Sequence, residues 1–421
     1  MSKIAVIGTG ISGLAAAYLL NRKHEITLFE REARPGGHSR TVTVRHADRI
    51  IPVDTGFIVF NERNYPNLTA LFRELDVPVK DSDMTYAMSV GDGAFEWGAR
   101  DLNTIFGQRR NLFNPAFYRL FREVMIFNGK AAQAVRDNPD ITLGELMVDM
   151  GLSDNFRQLY LLPMSGAIWS SPPRQMLAFP ARVFVDFFAN HGLLAMSGQP
   201  QWRTVDGGSQ EYVSRIARVL GDRLRTSAAV TEVARHPDHV DVRDQSGEVH
   251  RFDQVIFACH SDEALALLHD ASAAERSALQ AIRYQRNEAL LHRDPRCMPR
   301  RRRCWSSWNY KSDGKGNEPS VSVTYWMNRL QGIDERYPLF VTLNPWTPIA
   351  DEDVFDRHIF HHPVFDTQAI RAQGHLAGMQ GQNRTWFCGA YMRHGFHEDG
   401  LHSALKVVER LDCKPDWAVL G

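Results

Sequence analysis

Bulk charge, covalent cross-links and membrane spans are all missing from this chain. Lys+Arg and Asp+Glu number 49 each over 421 residues, so no global field favours nucleic acid as a partner. Cysteine is scarce: five residues, an odd count with no CxxC pair, point to reduced thiols rather than a disulfide framework, and no bound metal is expected. No apolar run is long enough to cross a bilayer, and because the chain enters an apolar run at Lys3 no leader is expected. The expected location is the cytoplasm, with peripheral contact on the inner membrane face left open. Internal repeats and low-complexity linkers are absent as well, so two domains in a chain of this length should be interleaved rather than tethered.

The first informative segment is the apolar run Lys3-Ile4-Ala5-Val6-Ile7 followed by Gly8-Thr9-Gly10-Ile11-Ser12-Gly13 and an alanine-rich stretch to Lys23. It reads as strand, glycine turn and helix. The first glycine allows the turn and the second lets a pyrophosphate approach the backbone. The third lets helix pack on strand, and the helix N-terminus offers N–H groups to phosphate. A second strand, Glu25 to Phe29, ends at Glu30, about twenty residues on, where a carboxylate can accept from ribose hydroxyls. A tight-packing turn with no ligand is the bland alternative, and the full strand, helix and acid pattern argues against it.

The sequence then runs on as Glu30-Arg31-Glu32-Ala33-Arg34-Pro35-Gly36-Gly37-His38-Ser39-Arg40-Thr41. This resembles the E-x-x-x-R-x-G-G-[RKH]-x-x-T extension of the flavoprotein amine oxidase and phytoene desaturase superfamily. A second glycine turn suits FAD because the ligand is extended and its pyrophosphate needs more backbone N–H groups than one turn supplies. The resemblance implies cofactor contacts at Gly8, Gly10, Ile11, Ser12, Gly13, Glu30, Arg31, Gly36, Gly37, His38 and Ser39. His38 replaces the usual Arg or Lys as a phosphate contact.

Later segments fit the same superfamily in order. Val53-Asp54-Thr55-Gly56-Phe57 resembles the stretch that passes beside the isoalloxazine, which implicates Thr55, Gly56 and Phe57. The return at Gly207-Gly208 leads to strands in which Val230 and Val233 are implied to lie against adenine. A closing segment, Thr385 to Ala390 and then Gly395 to Leu401, implies contacts from Gly389, Asp399, Gly400 and Leu401. The fold class expected is α/β: a discontinuous Rossmann-like FAD-binding domain (1–80, 205–270 and 381–421) with an interleaved α+β substrate domain (81–204 and 271–380).

Runs such as "PMSGAIWSSP", "FPARVFVDFFANHGLL", "TYWMNRLQ" and "GFHEDGL" resemble, more narrowly, bacterial FAD-dependent oxidoreductases encoded beside cyclopropane-fatty-acyl-synthase-like methyltransferases. That likeness implies desaturation or double-bond isomerisation of lipid acyl chains, with a methyltransferase as partner. A flavin-containing amine oxidase and a non-catalytic FAD-bound, lipid-presenting scaffold are the alternatives. Amine oxidases often place a lysine near flavin N5, and Asn287 stands near that position here. The catalytic candidates are His397, Glu398, Asn287 and Tyr325; His397 and Glu398 could equally cap a helix. Trp169, Trp308, Trp326 and Phe396 are candidates for substrate contact, against the alternative of core aromatics. The run Pro299-Arg300-Arg301-Arg302-Arg303 reads as a solvated loop, a headgroup grip or a nucleic-acid contact, and the amphipathic 106–127 segment offers a second basic-apolar surface.

Overall fold

The computed structural model describes residues 1–169, 176–190, 200–315 and 320–420, without the side chains of 166–169, 187 and 190. Trp169 ends the helix Leu162–Trp169, and its side chain lies outside the described residues.

One half is built on a five-stranded parallel sheet. Its spatial order is Leu224–Arg225, Glu25–Phe29, Lys3–Ile7, Gln254–Phe257 and Thr385–Phe387, so three distant stretches of chain interleave in one sheet. Burial on both faces explains the near-continuous apolar strands: Ile4, Ala5 and Val6 are fully buried, as are Val255, Ile256 and Phe257. The helix Ile11–Leu20 leaves Gly10 directly, and its buried Ala15, Ala16 and Ala17 let the C-terminal helix His397–Arg410 lie close against it. A three-stranded antiparallel unit, Val230–Arg235, Val240–Asp244 and Val249–Phe252, covers the sheet from another side, its last hairpin turning at 245–248.

The other half is a seven-stranded, mostly antiparallel sheet. Its order is Val354–Val364, Arg283–His292, Phe340–Leu343, Val321–Trp326, Trp308–Ser312, Tyr86–Val90 and Phe95–Gly98. Helices Pro115–Asp137, Leu143–Asp149 and Ala181–Asn190 pack on it through an aromatic-rich core that includes Phe117, Phe127, Phe156, Phe184 and Phe188. The 81–204 stretch thus contributes two strands to this sheet as well as the helices, the strands joined by a turn over 91–94. The molecule is α/β, a Rossmann-like half assembled from separated segments and an interleaved α+β half.

Candidate flavin site

Two glycine turns meet where the first strand ends. A Cβ on Gly13 would stand 1.9 Å from the Gly8 carbonyl oxygen, so only glycine lets the helix start this close to the strand. A Cβ on Gly10 would meet no protein atom within 4 Å, whereas one on Gly37 would lie 3.1 Å from the Gly10 Cα. Gly10 therefore borders open space that the second turn approaches. Gly36 and Gly37 have φ of +118° and +53°, which side chains rarely tolerate. Thr9 ties the turns together: its carbonyl and its Oγ1 each accept from the Gly36 N–H at 3.1 Å, and its hydroxyl donates to Glu30. The Glu30 carboxylate also accepts from the N–H groups of Thr9 (3.1 Å) and Glu32 (2.9 Å), leaving lone-pair capacity on Oε1. Gly8 itself donates to Phe29 O at 2.9 Å.

Arg34, Arg40 and His38 of the extension bond or pack against the protein's own groups. Arg34 donates to the carbonyls of Ser39 (3.0 Å) and Gly37 (3.4 Å), bracing the turn. Arg40 forms a two-pronged ion pair with Asp356 at 2.6 and 2.9 Å, and Thr55 N–H donates to its carbonyl at 2.8 Å. His38 packs its ring 4.9 Å from Phe360 and 5.4 Å from His362, and burial with neighbouring histidines holds its pKa well below the ordinary value. It is neutral near pH 7 in this structure, and the ring joins the extension to the seven-stranded sheet. Its carbonyl accepts from Phe57 N–H at 2.8 Å, and a Cβ on Gly56 would lie 2.2 Å from that oxygen.

The closing helix docks on the first turn. Ser12 Oγ donates to Gly400 O at 2.8 Å, Ser403 Oγ donates to the same carbonyl at 2.8 Å, and Gly389 N–H donates to Ser403 Oγ at 2.8 Å. A Cβ on Gly400 would be 2.9 Å from both Ile11 Cγ2 and Ser12 Oγ, and Leu401 is buried beside them. His397 stacks on Phe57 with centroids 3.8 Å apart, and its Nε2 lies 2.9 Å from Ser39 Oγ and 3.1 Å from the Tyr212 hydroxyl. Burial depresses its pKa to about 3, so it is a neutral ring.

Glu398 points elsewhere. It accepts from the N–H groups of Asn67 (3.0 Å) and Leu68 (2.9 Å) and from Asn67 Nδ2 (2.7 Å), which caps the helix Pro66–Glu74. Burial raises its pKa to about 7 against those bonds. Of the two roles open from sequence, the structure gives it the cap. Asp399 accepts from Phe396 N–H at 3.0 Å, closing the first turn of its own helix, and burial raises its pKa. A second buried carboxyl, Asp54, accepts from Thr41 Oγ1 (2.6 Å) and from Ser209 N–H (2.9 Å) ahead of the helix Gln210–Leu220.

At the far end of Glu30, Ala228 N–H donates to Glu30 O at 2.8 Å, which sets the approach to Val230 alongside the acid. Val230 is half-buried, whereas Val233 is fully buried in the core. Arg31 turns outward to Glu263 at 2.7 Å.

On the substrate side, Asn287, Ala289 and Leu291 alternate onto one face of their strand, and the latter two pack with Val53, Ile58 and Phe360. Asn287 is fully buried and bonded to Gln285, His362 and Asn344. Tyr325 and Trp308 pair across neighbouring strands with rings at 5.3 Å, and the buried Trp308 Nε1 has no hydrogen-bond partner among the described residues. Phe396 packs against the same aromatic core. Trp326 is corrected: strand alternation sends it to the opposite face from Tyr325, into a small cluster with Met298, Trp305 and Phe340. The sequence reading missed Asp356, His358, Phe360 and His362, although their every-second-residue spacing in "DRHIFHHP" was the available signal.

The arginine run is a structural loop. Arg301 pairs with the buried Glu96 at 2.7 Å, Arg300 with Asp92 at 3.5 Å and Arg302 with Glu335 at 2.7 Å, leaving only Arg303 of the four without an ion pair among the described residues. Two side-chain trios, His236, His239 and Asp241 and then Asp244, Glu248 and His250, converge on the antiparallel unit away from this cleft.

The sequence profile for flavin containing amine oxidoreductases matches residues 11–411, and the chain belongs to that family. FAD is its cofactor, and its class is that of FAD-dependent oxidoreductases. The Mycobacterium tuberculosis protein AofH, named as a candidate flavin-containing monoamine oxidase, is 26% identical over 264 residues, 58% of this chain and 54% of its own. Flavin-containing amine oxidase A of Bos taurus is 25% identical over 269 residues, 61% of this chain and 49% of the relative. The chain thus spans about half the length of the curated relatives it matches. A CLA-producing fatty acid isomerase from P. acnes shares the fold at 15% identity, with a TM-score of 0.69 over 97% of this chain and 98% of that one. Putrescine oxidase does so at 15% identity and a TM-score of 0.66, over 97% and 99%. Among the described residues no helix is long and apolar enough to cross a membrane.

Proposed function

We propose that this FAD-dependent oxidoreductase acts on lipid acyl chains, by desaturation or double-bond isomerisation. The observation that carries the reading is the wall around the Gly56–Phe57 segment: Phe57, neutral His397, neutral His38, Phe360 and Asn287, with Arg40 and Asp356 beside them offset in an ion pair and no lysine at the Asn287 position. Bound FAD supplies a hydride acceptor. The residues fit it: the open space at Gly10 and the converging turns would take the pyrophosphate, and Glu30 the ribose. The protein's own part is to hold a C–H bond in line and keep water out, since an allylic C–H is a reluctant hydride donor. Aromatic residues Trp308 and Tyr325 suit an apolar chain better than a charged head.

An exposed basic-apolar face supports a lipid source. Phe113 is 87% and Leu102 74% exposed, in the same 102–122 stretch of chain as Arg109, Arg110 and Arg122, a composition suited to an anionic bilayer. On this reading the chain works beside a methyltransferase that supplies methylated acyl groups, as its narrower resemblance implies. Amine oxidation is the second reading, favoured by the names of the curated relatives. Anaerobic mixing with liposomes of unsaturated or methylated phospholipids, alongside a panel of amines, separates them. Flavin bleaching or an isomerised lipid supports the acyl reading; bleaching by a primary amine, with every lipid unchanged in mass and double-bond position, overturns it.

A further inference from the structure

The strand Val354–Val364 turns Asp356, His358, Phe360 and His362 onto one face, and that face meets the glycine extension through Arg40 and His38. Behind His362 lies a chain of side-chain amides whose direction is fixed at one end. The Glu288 backbone N–H, which can only donate, is 2.9 Å from Asn344 Oδ1. Asn344 must therefore present its Nδ2 to Asn287 Oδ1, at 2.7 Å. Asn287 in turn presents Nδ2, which donates to Gln285 O at 3.3 Å and lies 2.8 Å from His362 Nδ1. His362 Nδ1 then has to accept, and the proton of the neutral ring sits on Nε2. Asn344 holds φ at +50°, a conformation asparagine tolerates better than most residues, so the anchoring residue is suited to its place.

We propose that Asn344, Asn287 and His362 form a tautomer lock, which holds His362 as the neutral Nε2–H imidazole and makes it a positioning hydrogen-bond donor on the flavin side of the seven-stranded sheet. The flavin part rests on reading the Gly56–Phe57 segment as the isoalloxazine's neighbour; the lock does not. His362 faces His38, with His260 and His361 close by, and burial together with these rings lowers its pKa to about 4, so the donor stays uncharged through neutral pH. Asn287 acts through His362. A lysine at its position would add a cation to a face whose Arg40 and Asp356 already offset each other in an ion pair.

The test uses holoenzyme labelled with 15N-histidine. The signal of His362 among the seventeen histidines is identified by its loss in His362→Gln. Wild type should show the Nε2–H pattern. Asn287→Asp, whose carboxylate only accepts, should move the proton to Nδ1 or leave the ring doubly protonated, and Asn287→Leu should give a mixture. An Nδ1–H pattern in wild type, or an unchanged pattern in Asn287→Asp, overturns the lock. For the flavin part, His362→Phe should shift the flavin absorption bands and make the midpoint potential more negative, while His362→Gln, which keeps an N–H donor, should largely restore both. If the lock is seen but His362→Phe leaves bands and potential at wild-type values, the contact with flavin is overturned separately from the lock.

Discussion

Where the nucleotide half turns its backbone toward the site it uses glycine, and the surface beside those glycines is built of rings drawn from both halves. Gly10, Gly13, Gly37, Gly56 and Gly400 each bring backbone to within a side chain's width of another backbone or of open space. Beside them stand Phe57, His397 and His38 of the nucleotide half and Phe360 and Trp308 of the substrate half. The first surface serves an invariant, charged cofactor through N–H groups, whereas the second can be reshaped residue by residue for a substrate. The glycines also differ among themselves: some are required by the fold and others only by the ligand.

Paired substitutions break that distinction most sharply. Gly13→Ala drives a methyl into the Gly8 carbonyl and should cost about 3 kcal/mol or more of folding stability in the apoprotein, read by urea unfolding. Gly10→Ala meets no protein atom, so it should cost about 1 kcal/mol or less while weakening FAD about tenfold or more in a fluorescence titration. Equal apoprotein stability for the two variants would erase the division between fold glycines and ligand glycines.

The buried carboxyls offer the next test. Glu398 titrates near 7 in the folded protein against an ordinary value of 4.5, so its contribution is fully present below 4.5 and is lost as pH rises through 7. Wild type should lose up to about 3 kcal/mol over that interval through this group, and Glu398→Gln should not. The stability of the variant relative to wild type should therefore improve between pH 4.5 and pH 8, measured by urea melts. A constant difference would show that the carboxyl stays ionised.

His397 carries the opposite sign. Its folded pKa of about 3 lies below the ordinary 6.5, so its contribution is present above 6.5 and fades as pH falls toward 3. His397→Phe should cost about 1 to 2 kcal/mol at pH 7, because it keeps the stack on Phe57 but loses the bonds to Ser39 and Tyr212. That deficit should shrink in acid. Smallest in stability is Phe113→Ser, within about 0.5 kcal/mol because the ring is exposed. Its readout is cosedimentation with anionic vesicles, which should fall while the thermal midpoint holds.

The nucleotide half was legible because its signals are local. A tight turn demands glycine at fixed spacing, and strand, turn, helix and acid lie within thirty residues. The same logic exposed the 36–37 turn and the closing segment. What could not be read was direction and partner. Glu398 and His397 are adjacent, yet one caps a helix more than 300 positions earlier in the chain and the other stacks on Phe57. Trp326 and Tyr325 are adjacent as well, and pleating sends them to opposite faces. His38 looked like a cation because its place in the motif usually holds one, and it is burial first, then the nearby rings of His362, His260, His397 and His358, that keeps it neutral.

The docking of Gly400 on Ile11 and Ser12 also bears on how the protein is made. The first strand and turn leave the ribosome early, and their edge strand, Thr385–Phe387, and the helix that covers them follow some 380 residues later. At roughly 5–20 residues per second, the alanine face of the first helix waits tens of seconds for its partner. Throughout that interval it is an exposed apolar surface for a chaperone to hold, and the nascent chain cannot close its cofactor cradle until that helix has been made.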